Sequence, residues 1–339
     1  MSAVLLAAGI WILGGVLGAS RAQRGVLLGL LWLAVVSLHL TLPDGHPLRG
    51  ATGGSAAPWL LLAGFGGVAL LYGRGVAWLK ARAPQEAQPE AAPSDRELSR
   101  YARHMMLREI GGPGQMRLRA AKVLVIGAGG LGSPVLLYLA AAGIGTIGVV
   151  DDDDVDATNL QRQVIHRDDA IGTPKVFSAA DAIRALNPHV TVKPYHRRLG
   201  AEDAEALIAE YDLVIDGCDN FETRALVNTA CVATGTPLIS GAISQWEGQV
   251  SLFDPSRGGP CYACVFPKGP APDLAPSCAQ AGVLGPLPGI IGTIMAAEAV
   301  KHLVGAGETL SGRMLIYDAL YAESREMRVA RDPGCPVCG

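Results

Sequence analysis

The stretch that decides the fold is "KVLVIGAGGLGSPVLLYLAAAG", residues 122–143. It predicts a short strand rich in β-branched residues, then a glycine turn and an apolar helix from about Ser133 to Ala142, after which "TIGVVD" forms a second strand. Strands that alternate with helices indicate a parallel sheet covered by helices on both faces. The chain is therefore expected to contain an α/β domain.

The glycines of this turn predict a nucleotide site. Gly127, Gly129 and Gly132 form the pattern G-x-G-x-x-G, in which missing side chains let phosphates approach backbone N–H groups at a helix N-terminus. Asp151 ends the next strand at the spacing expected of an acid that binds ribose. A nicotinamide-dependent oxidoreductase would share all these residues, so the pattern alone does not choose the nucleotide.

The residues after the second strand narrow the choice of nucleotide. In "VVDDDDVDATNLQRQVIH", residues 149–166, the acidic run taken alone fits a solvated turn. Further polar side chains follow two strand ends and begin one helix, namely Asn159, Gln161, Arg162, Lys175, Asp219 and Asn220. Cations neutralise phosphate charge and a carboxylate holds magnesium through oxygen, so the group together favours Mg-ATP. Each residue singly would also fit a surface ion pair.

Four of the seven cysteines occur as two pairs, "CYAC" (Cys261, Cys264) and "CPVC" (Cys335, Cys338). Two C-x-x-C pairs predict a structural zinc site, because four thiolates complete a tetrahedral shell. A redox pair and a disulfide framework are the alternatives. Cys278 follows the proline-rich "PKGPAPDLAP" and is expected on a loop, where its position does not separate a nucleophile from an incidental thiol.

The first quarter of the chain is apolar. Half of all residues are hydrophobic and only 17% are charged, against a usual share of about 25%. The excess lies in three runs, residues 3–19, 25–42 and 58–79, whose lengths are near the ~17–25 residues of a membrane-spanning helix. We therefore expect about three transmembrane helices in residues 1–82, a linker over 83–95 and the α/β domain over 96–339.

Loop charge predicts the orientation of the membrane segment. With three spans, five basic residues would lie on one side and Arg49 alone on the other; the five are Arg21, Arg24, Arg74, Lys80 and Arg82. The side rich in Lys and Arg is cytoplasmic. The expected location is thus a bacterial inner membrane, with the α/β domain in the cytoplasm. The net charge of −3 argues against a nucleic-acid partner.

From about Glu97 to the C-terminus the chain resembles the ThiF/MoeB/HesA family of the ubiquitin-activating-enzyme-like superfamily, most closely its molybdopterin-synthase adenylyltransferase (MoeB) branch. The fold that this implies has a nucleotide-binding half and an antiparallel, zinc-bearing half. The motifs that carry the resemblance are "RYARHMMLREIGGPGQ", "GAGGLGS", "TNLQRQVIH", "GTPKV", "DGCDN", "GAISQWEGQV", "CYAC", "CAQAGVLGPLPGIIG" and "DPGCPVCG".

The resemblance implies an enzyme that binds Mg-ATP and adenylates the C-terminal glycine of a ubiquitin-like sulfur carrier (MoaD- or ThiS-like, ending in Gly-Gly), with release of pyrophosphate. It implies a homodimer in which Arg103 enters the partner's ATP site. It also implies that Asp219 is the magnesium ligand and that Asp153 is a second acidic residue of the site beside Asp151. Nucleotide contacts are carried over to Gly127, Gly129, Gly130, Gly132, Asp151, Asn159, Leu160, Gln161, Arg162, Lys175, Asp219 and Asn220. Cys278 matches a cysteine whose role differs among subfamilies.

Three points stay open at this level. The sequence does not say whether the carrier serves molybdopterin, thiamin or another thiolation, and the sulfur is expected from a separate protein. An oxidoreductase would leave Arg162, Lys175 and Asp219 unexplained. A membrane-tethered scaffold without catalysis would be expected to lack one or more of these three residues.

Overall fold

The computed structural model describes residues 2–82, 93–269 and 282–339. The chain divides into two compact units, residues 1–92 and 93–339. Most of the predicted linker, residues 83–92, lies outside the described residues, and the division into domains with those roles stays a prediction.

The first unit is helical, with helices α1 (Ser2–Val16), α2 (Arg21–Thr41), α3 (Pro47–Ala51) and α4 (Ala57–Arg82). Of its helices, α2 and the Ala57–Val76 part of α4 are long and apolar enough to span a membrane. Helix α1 has 15 residues and is about 22 Å long, shorter than the ~30 Å hydrocarbon layer. Apolar side chains cover the outside of this unit; Phe65 and Leu71 are among the most exposed.

Helix α1 is shorter than its apolar run because residues 17–20 form a turn into α2. Gly18 has a left-handed φ of 77°, a conformation that glycine adopts without strain. The Ser20 side chain then accepts a hydrogen bond from Gln23 N–H and caps α2. The Arg24 guanidinium donates to the carbonyls of Ala19 and Trp11 across this turn, so a charged residue is held at the end of the helix pair.

The second unit is an α/β fold. Its helices are α5 (Asp95–Arg100), α6 (Ala102–Met105), α7 (Gly111–Ala120), α8 (Gly132–Ala142), α9 (Lys175–Leu186), α10 (Ala204–Ile208), α11 (Phe221–Thr234), α12 (Tyr262–Val265) and α13 (Pro286–Val304). Its strands are β1 (Lys122–Ile126), β2 (Thr146–Asp151), β3 (Thr191–His196), β4 (Leu213–Asp216), β5 (Leu238–Ile243), β6 (Glu247–Phe253), β7 (Arg313–Asp318) and β8 (Glu323–Arg328).

The eight strands form one mixed sheet in the order β3-β2-β1-β4-β5-β6-β7-β8. Neighbours from β3 to β5 are parallel, whereas β5 to β8 are antiparallel. The predicted class, a mixed α/β sheet with a Rossmann-like half and an antiparallel half, is confirmed in this architecture. The order reverses between β1 and β4, and ligands bind at such a switch point in open α/β sheets.

Alternate residues of the strands enter two cores, one on each face of the sheet. On β1, Val123 and Val125 pack with α8, α9 and α13, whereas Leu124 and Ile126 pack with α10 and α11. Helix α13 is also long and apolar enough to span a membrane, but half of its most apolar stretch is buried in this unit, so it is a core helix.

Candidate functional site

A cavity of ≈ 400 Å³ opens at the carboxyl ends of the parallel strands. Its wall includes Gly127, Gly129, Gly130, Asp151, Asp152, Asp153, Arg162, Gln163, Lys175, Arg197, Arg198, Leu199, Cys218, Asp219, Asn220, Phe221, Thr223 and Arg224. The structure thus brings eight of the predicted site residues to one cavity: Gly127, Gly129, Gly130, Asp151, Arg162, Lys175, Asp219 and Asn220.

The glycine turn forms the floor between β1 and α8. Gly127 has a φ of 93°, and a Cβ on Gly132 would lie 1.9 Å from the Gly127 carbonyl oxygen, so no side chain fits at residue 132. Gly132 is thus required for the turn, although it does not itself line the cavity. Gly130 lies beside the Arg162 side chain, since a Cβ there would be 3.7 Å from Arg162 Cγ.

Asp151 is tied to the glycine turn. Its Oδ2 accepts the N–H of Ala128 at 2.7 Å and its Oδ1 accepts the N–H of Asp153 at 2.9 Å. Burial raises the pKa of Asp151, and the positive charge of Lys175 opposes this rise. The carboxylate therefore has a fixed orientation at the end of β2, where an acid binds ribose hydroxyls in this type of fold.

Two cations face the same cavity. Lys175 begins α9, as predicted, and its Nζ lies 2.6 Å from Asp153 Oδ2, with the lysine side chain 5% exposed and the aspartate 65% exposed. Arg162 is half-buried and donates to Asn159 Oδ1 at 2.8 Å. A buried ammonium whose partner is an exposed carboxylate can exchange that partner for a phosphate at little cost in desolvation.

Besides Gly132, three of the predicted nucleotide contacts do not line the cavity. Asn159 instead orients Arg162 through its side-chain oxygen. Gln161 packs against the start of α13, where a Cβ on Gly285 would lie 2.7 Å from Gln161 Oε1. Leu160, between them, is likewise absent from the cavity wall.

Gln163 lines the cavity and was not among the predicted contacts. It is 5% exposed, and among the described residues its Oε1 has no hydrogen-bond partner. A Cβ on Gly129 would lie 3.5 Å from Gln163 Nε2, which places this amide against the glycine turn. A buried amide with an unused acceptor is costly unless a ligand or water satisfies it, so Gln163 offers this cavity a hydrogen-bond acceptor.

Asp219 and Asn220 follow β4 on the opposite wall. Asp219 is exposed to the cavity, and Asn220 caps α11 by accepting the N–H of Thr223 at 2.8 Å. A carboxylate at this wall, across from Lys175 and Arg162, is the type of ligand that magnesium takes together with phosphate oxygens.

Arg224, one turn into α11, was also missed from the sequence. It donates to Asp216 Oδ2 at 3.3 Å, to Ser240 Oγ at 2.9 Å and to the Gly241 carbonyl at 2.8 Å, and also to the Cys218 carbonyl. Burial acts to lower the pKa of Arg224, but Asp216 and the nearby Cys218, Tyr262 and Asp219 together outweigh burial, and the pKa is raised. This buried pair joins β4, β5 and α11, so it holds the wall that carries Asp219.

The four paired cysteines meet, as the two C-x-x-C motifs predicted. The Sγ atoms of Cys261 and Cys335 are 3.6 Å apart, and those of Cys264 and Cys338 are 3.5 Å apart. Thiolates on one zinc with Zn–S bonds of about 2.3 Å are separated by about 3.8 Å, so the cluster is compatible with a tetrahedral zinc site. Asn228 of α11 donates to Cys261 Sγ at 3.7 Å and supplies an outer contact.

Arg103, a predicted site residue, does not line this cavity. Arg103, on α6, is exposed, and its guanidinium donates to Met106 Sδ at 3.9 Å. Beside it lies a second, mostly apolar cavity of ≈ 480 Å³ whose wall includes His104, Leu107 and Tyr138. Cys278 lies outside the described residues.

The sequence model of the ThiF family matches residues 101–337 of this chain. The chain is 52% identical over 247 residues to the sulfur carrier protein adenylyltransferase of Thermus thermophilus, covering 72% of this chain and 91% of that protein. It is 49% identical over 243 residues to the SAMP-activating enzyme E1 of Haloferax volcanii, covering 72% and 89%. The structure of E. coli MccB with ATP aligns with a TM-score of 0.63 at 24% identity, covering 76% of this chain and 77% of that one, which shows a shared fold. This chain belongs to the ThiF family.

Proposed function

We propose that the chain is an adenylyltransferase that uses ATP to activate the C-terminal glycine carboxylate of a ubiquitin-like sulfur carrier, with release of pyrophosphate. The observation that carries the proposal is the single cavity that unites the glycine turn, Asp151, Lys175, Arg162 and Asp219. The names of the Thermus and Haloferax relatives support the same reaction. A nicotinamide oxidoreductase would leave Lys175, Arg162 and Asp219 unexplained.

In the proposed reaction, the carrier carboxylate attacks the α-phosphate, and the bond from that phosphorus to the pyrophosphate oxygen breaks. Two anions must approach each other, so the site has to supply positive charge and alignment rather than a base. Lys175 and Arg162 supply that charge from one side of the cavity. Lys175 exchanges Asp153 for phosphate oxygens, and Arg162 is kept in place by Asn159.

Magnesium fits this site through Asp219. Among the described residues, Asp219 makes no hydrogen bond or ion pair, and magnesium is commonly bound by one or two carboxylates together with substrate phosphates and water. When bound, the ion neutralises charge that develops on the leaving pyrophosphate. The chain's own contribution is the carboxylate, at the end of a strand that Arg224 and Asp216 hold in place.

Zinc is proposed to fill the cysteine cluster in a structural role. The four thiol groups come from two segments far apart in the sequence, so the metal would tie the C-terminal residues to α12. Burial acts to raise the pKa of Cys335, but hydrogen bonds with the backbone of Cys338 and Val337 and with the thiols of Cys261 and Cys264 together outweigh it and lower the pKa to about 7. This thiol is therefore ready to lose its proton to a metal at neutral pH.

The active unit is proposed to be a homodimer. Arg103 stands outside this chain's own cavity, next to an apolar cavity and to the exposed side chains of Met106 and Leu107, which a second copy would cover. If Arg103 completes the partner's site, mixing an Arg103→Ala chain with an Asp219→Ala chain restores activity in heterodimers. Unrestored activity with proven subunit exchange would show that Arg103 acts in its own subunit or not at all.

The first unit is proposed to anchor the enzyme to a membrane, with the second unit in the cytoplasm. Its exposed apolar side chains would find lipid, while helical hydrogen bonds satisfy its backbone. Alkaline carbonate should leave the full chain in the membrane pellet, and a fragment starting near Ser94 should be soluble and active. Release of the full chain by carbonate would refute the anchor, and an aggregated fragment would show that the second unit depends on the first.

Carrier-dependent exchange between ATP and labelled pyrophosphate tests the activity. Exchange should require a carrier that ends in Gly-Gly and fail with a carrier lacking the last glycine. Lys175→Ala should abolish exchange. The matched control is Lys193→Ala, which removes a surface lysine paired with Glu210 at 3.3 Å and should leave exchange intact. Full exchange without any carrier, or an active Lys175→Ala chain, would contradict the proposal.

A further inference from the structure

The sheet order fixes which end of the cavity receives the nucleotide base. Phosphates meet the glycine turn after β1, and ribose meets Asp151 at the end of β2, so the base extends further in the same direction, towards β3. Strand β3 pairs with β2 in parallel, with His196 opposite Asp151. The residues that leave β3, Arg197 to Leu199, therefore stand beside the ribose acid, and all three line the cavity.

This end of the cavity combines apolar side chains with an exposed arginine. Val150 and Leu199 are buried and line it. Arg197 is already paired with Asp203. Arg198 is 73% exposed, and its Nε lies 3.3 Å from Asp152 Oδ2. Within the described part of the chain, the two terminal nitrogens of Arg198 make no hydrogen bond.

We propose that the Arg198 guanidinium stacks on the nucleotide base, which lies between it and the floor formed by Val150 and Leu199, and thereby favours purine over pyrimidine nucleotides. The inference rests on the proposed use of this cavity for ATP. A planar, delocalised guanidinium stacks on aromatic rings, and a purine offers it a larger surface than a pyrimidine. Asp152 holds the Nε side of the group and acts as a positioning residue.

A phosphate role for Arg198 is the alternative, and the geometry disfavours it. Arg162 lies beside Gly130 of the glycine turn, on the phosphate side of Asp151, whereas Arg198 follows β3 on the other side. Charge attraction would act through the phosphates and would survive replacement by lysine. Stacking requires the planar guanidinium and would be lost on replacement by lysine.

Equilibrium titration of the full chain in detergent separates these roles. The ligands are ATP, CTP and inorganic tripolyphosphate, and the variants are Arg198→Lys, Arg198→Gln and Asp152→Asn. Both Arg198 variants should weaken ATP binding about tenfold, CTP binding less, and tripolyphosphate binding not at all. Asp152→Asn should shift ATP binding in the same direction by less. The control is Arg325→Gln, which removes an exposed arginine of β8 that lies 3.4 Å from Glu247 and should change nothing.

The results distinguish three failures. If Arg198→Lys binds ATP as the wild type does, or if Arg198→Gln weakens tripolyphosphate binding, the residue acts through charge and the stacking proposal is overturned. Unchanged binding in both variants would reduce Arg198 to a surface partner of Asp152. Because binding needs no turnover, a wild-type chain that prefers ATP over CTP but shows no carrier-dependent exchange would refute the proposed function and leave the base contact standing.

Discussion

Replacing Arg224 with methionine should destabilise the α/β unit strongly. The guanidinium donates to four groups on β4, β5 and the loop after β4, and its partner Asp216 is 1% exposed. Without Arg224, the carboxylate keeps only the Ser240 hydroxyl and the Cys218 N–H as donors. Removing one partner of a buried ion pair costs about 3–5 kcal/mol, because the other charge stays buried without compensation.

That loss is a large part of the ~5–15 kcal/mol by which a typical domain is stable. Hydrogen exchange measured by mass spectrometry on peptides that cover β4 and β5 gives the free energy of opening for this unit alone, in the full chain. The matched control is Arg184→Met, which breaks an exposed pair with Asp181 at 2.9 Å and should cost about 0–1 kcal/mol.

A double-mutant cycle with Asp216→Asn tests the cause. The asparagine removes the buried charge, so the double variant should be less destabilised than the sum of the single variants by about 1–3 kcal/mol. A loss below about 1 kcal/mol for Arg224→Met, or additive single effects, would show that the pair does not hold this wall together.

Three further outcomes are expected. Gly132→Ala should prevent the nucleotide turn, because its Cβ would lie 1.9 Å from the Gly127 oxygen, while Gly289→Ala in α13, with nothing within 4 Å, should leave soluble yield and ATP binding unchanged. Cys335→Ser should lower the zinc content per chain, measured by elemental analysis, and should lower stability as well as activity. Burial lowers the pKa of His166 below its usual value of about 6.5, so the folded state favours the neutral ring. Stability should therefore fall as the pH drops below about 6.5, and His166→Gln should make the fall shallower in hydrogen exchange.

The parts of the fold that the sequence predicts well depend on local chemistry. A β-branched strand, a turn that only glycine fits and an apolar helix follow one another within 22 residues, and each limits the backbone by itself. The length of α1 was overestimated because an apolar run measures composition, whereas Gly18 and the Ser20 cap decide where the helix ends and the next begins. Gly18 and Ser20 were the only residues here that indicated the end of the helix, and neither changes the hydropathy of the run.

The same distinction between local and tertiary signals applies to the residues of the site. Lys175 and Asp219 were found because one begins a helix and the other comes shortly after a strand, and the carboxyl ends of parallel strands meet at one edge. Arg162 lies in the loop between β2 and that helix. Arg224 follows no such rule. An arginine inside a helix, such as Arg224, has the same local sequence pattern whether it faces solvent or the core. Its partners here lie on β4 and β5, and only the strand order β1-β4-β5 brings these two strands beside α11. Arg198 comes just after a strand, but that strand carries no motif, and only its pairing with β2 places the arginine next to Asp151. The role of a cation in this fold is therefore decided by strand order, which is a tertiary property, and the residues that distinguish this chain's nucleotide site are the ones that strand order assigns.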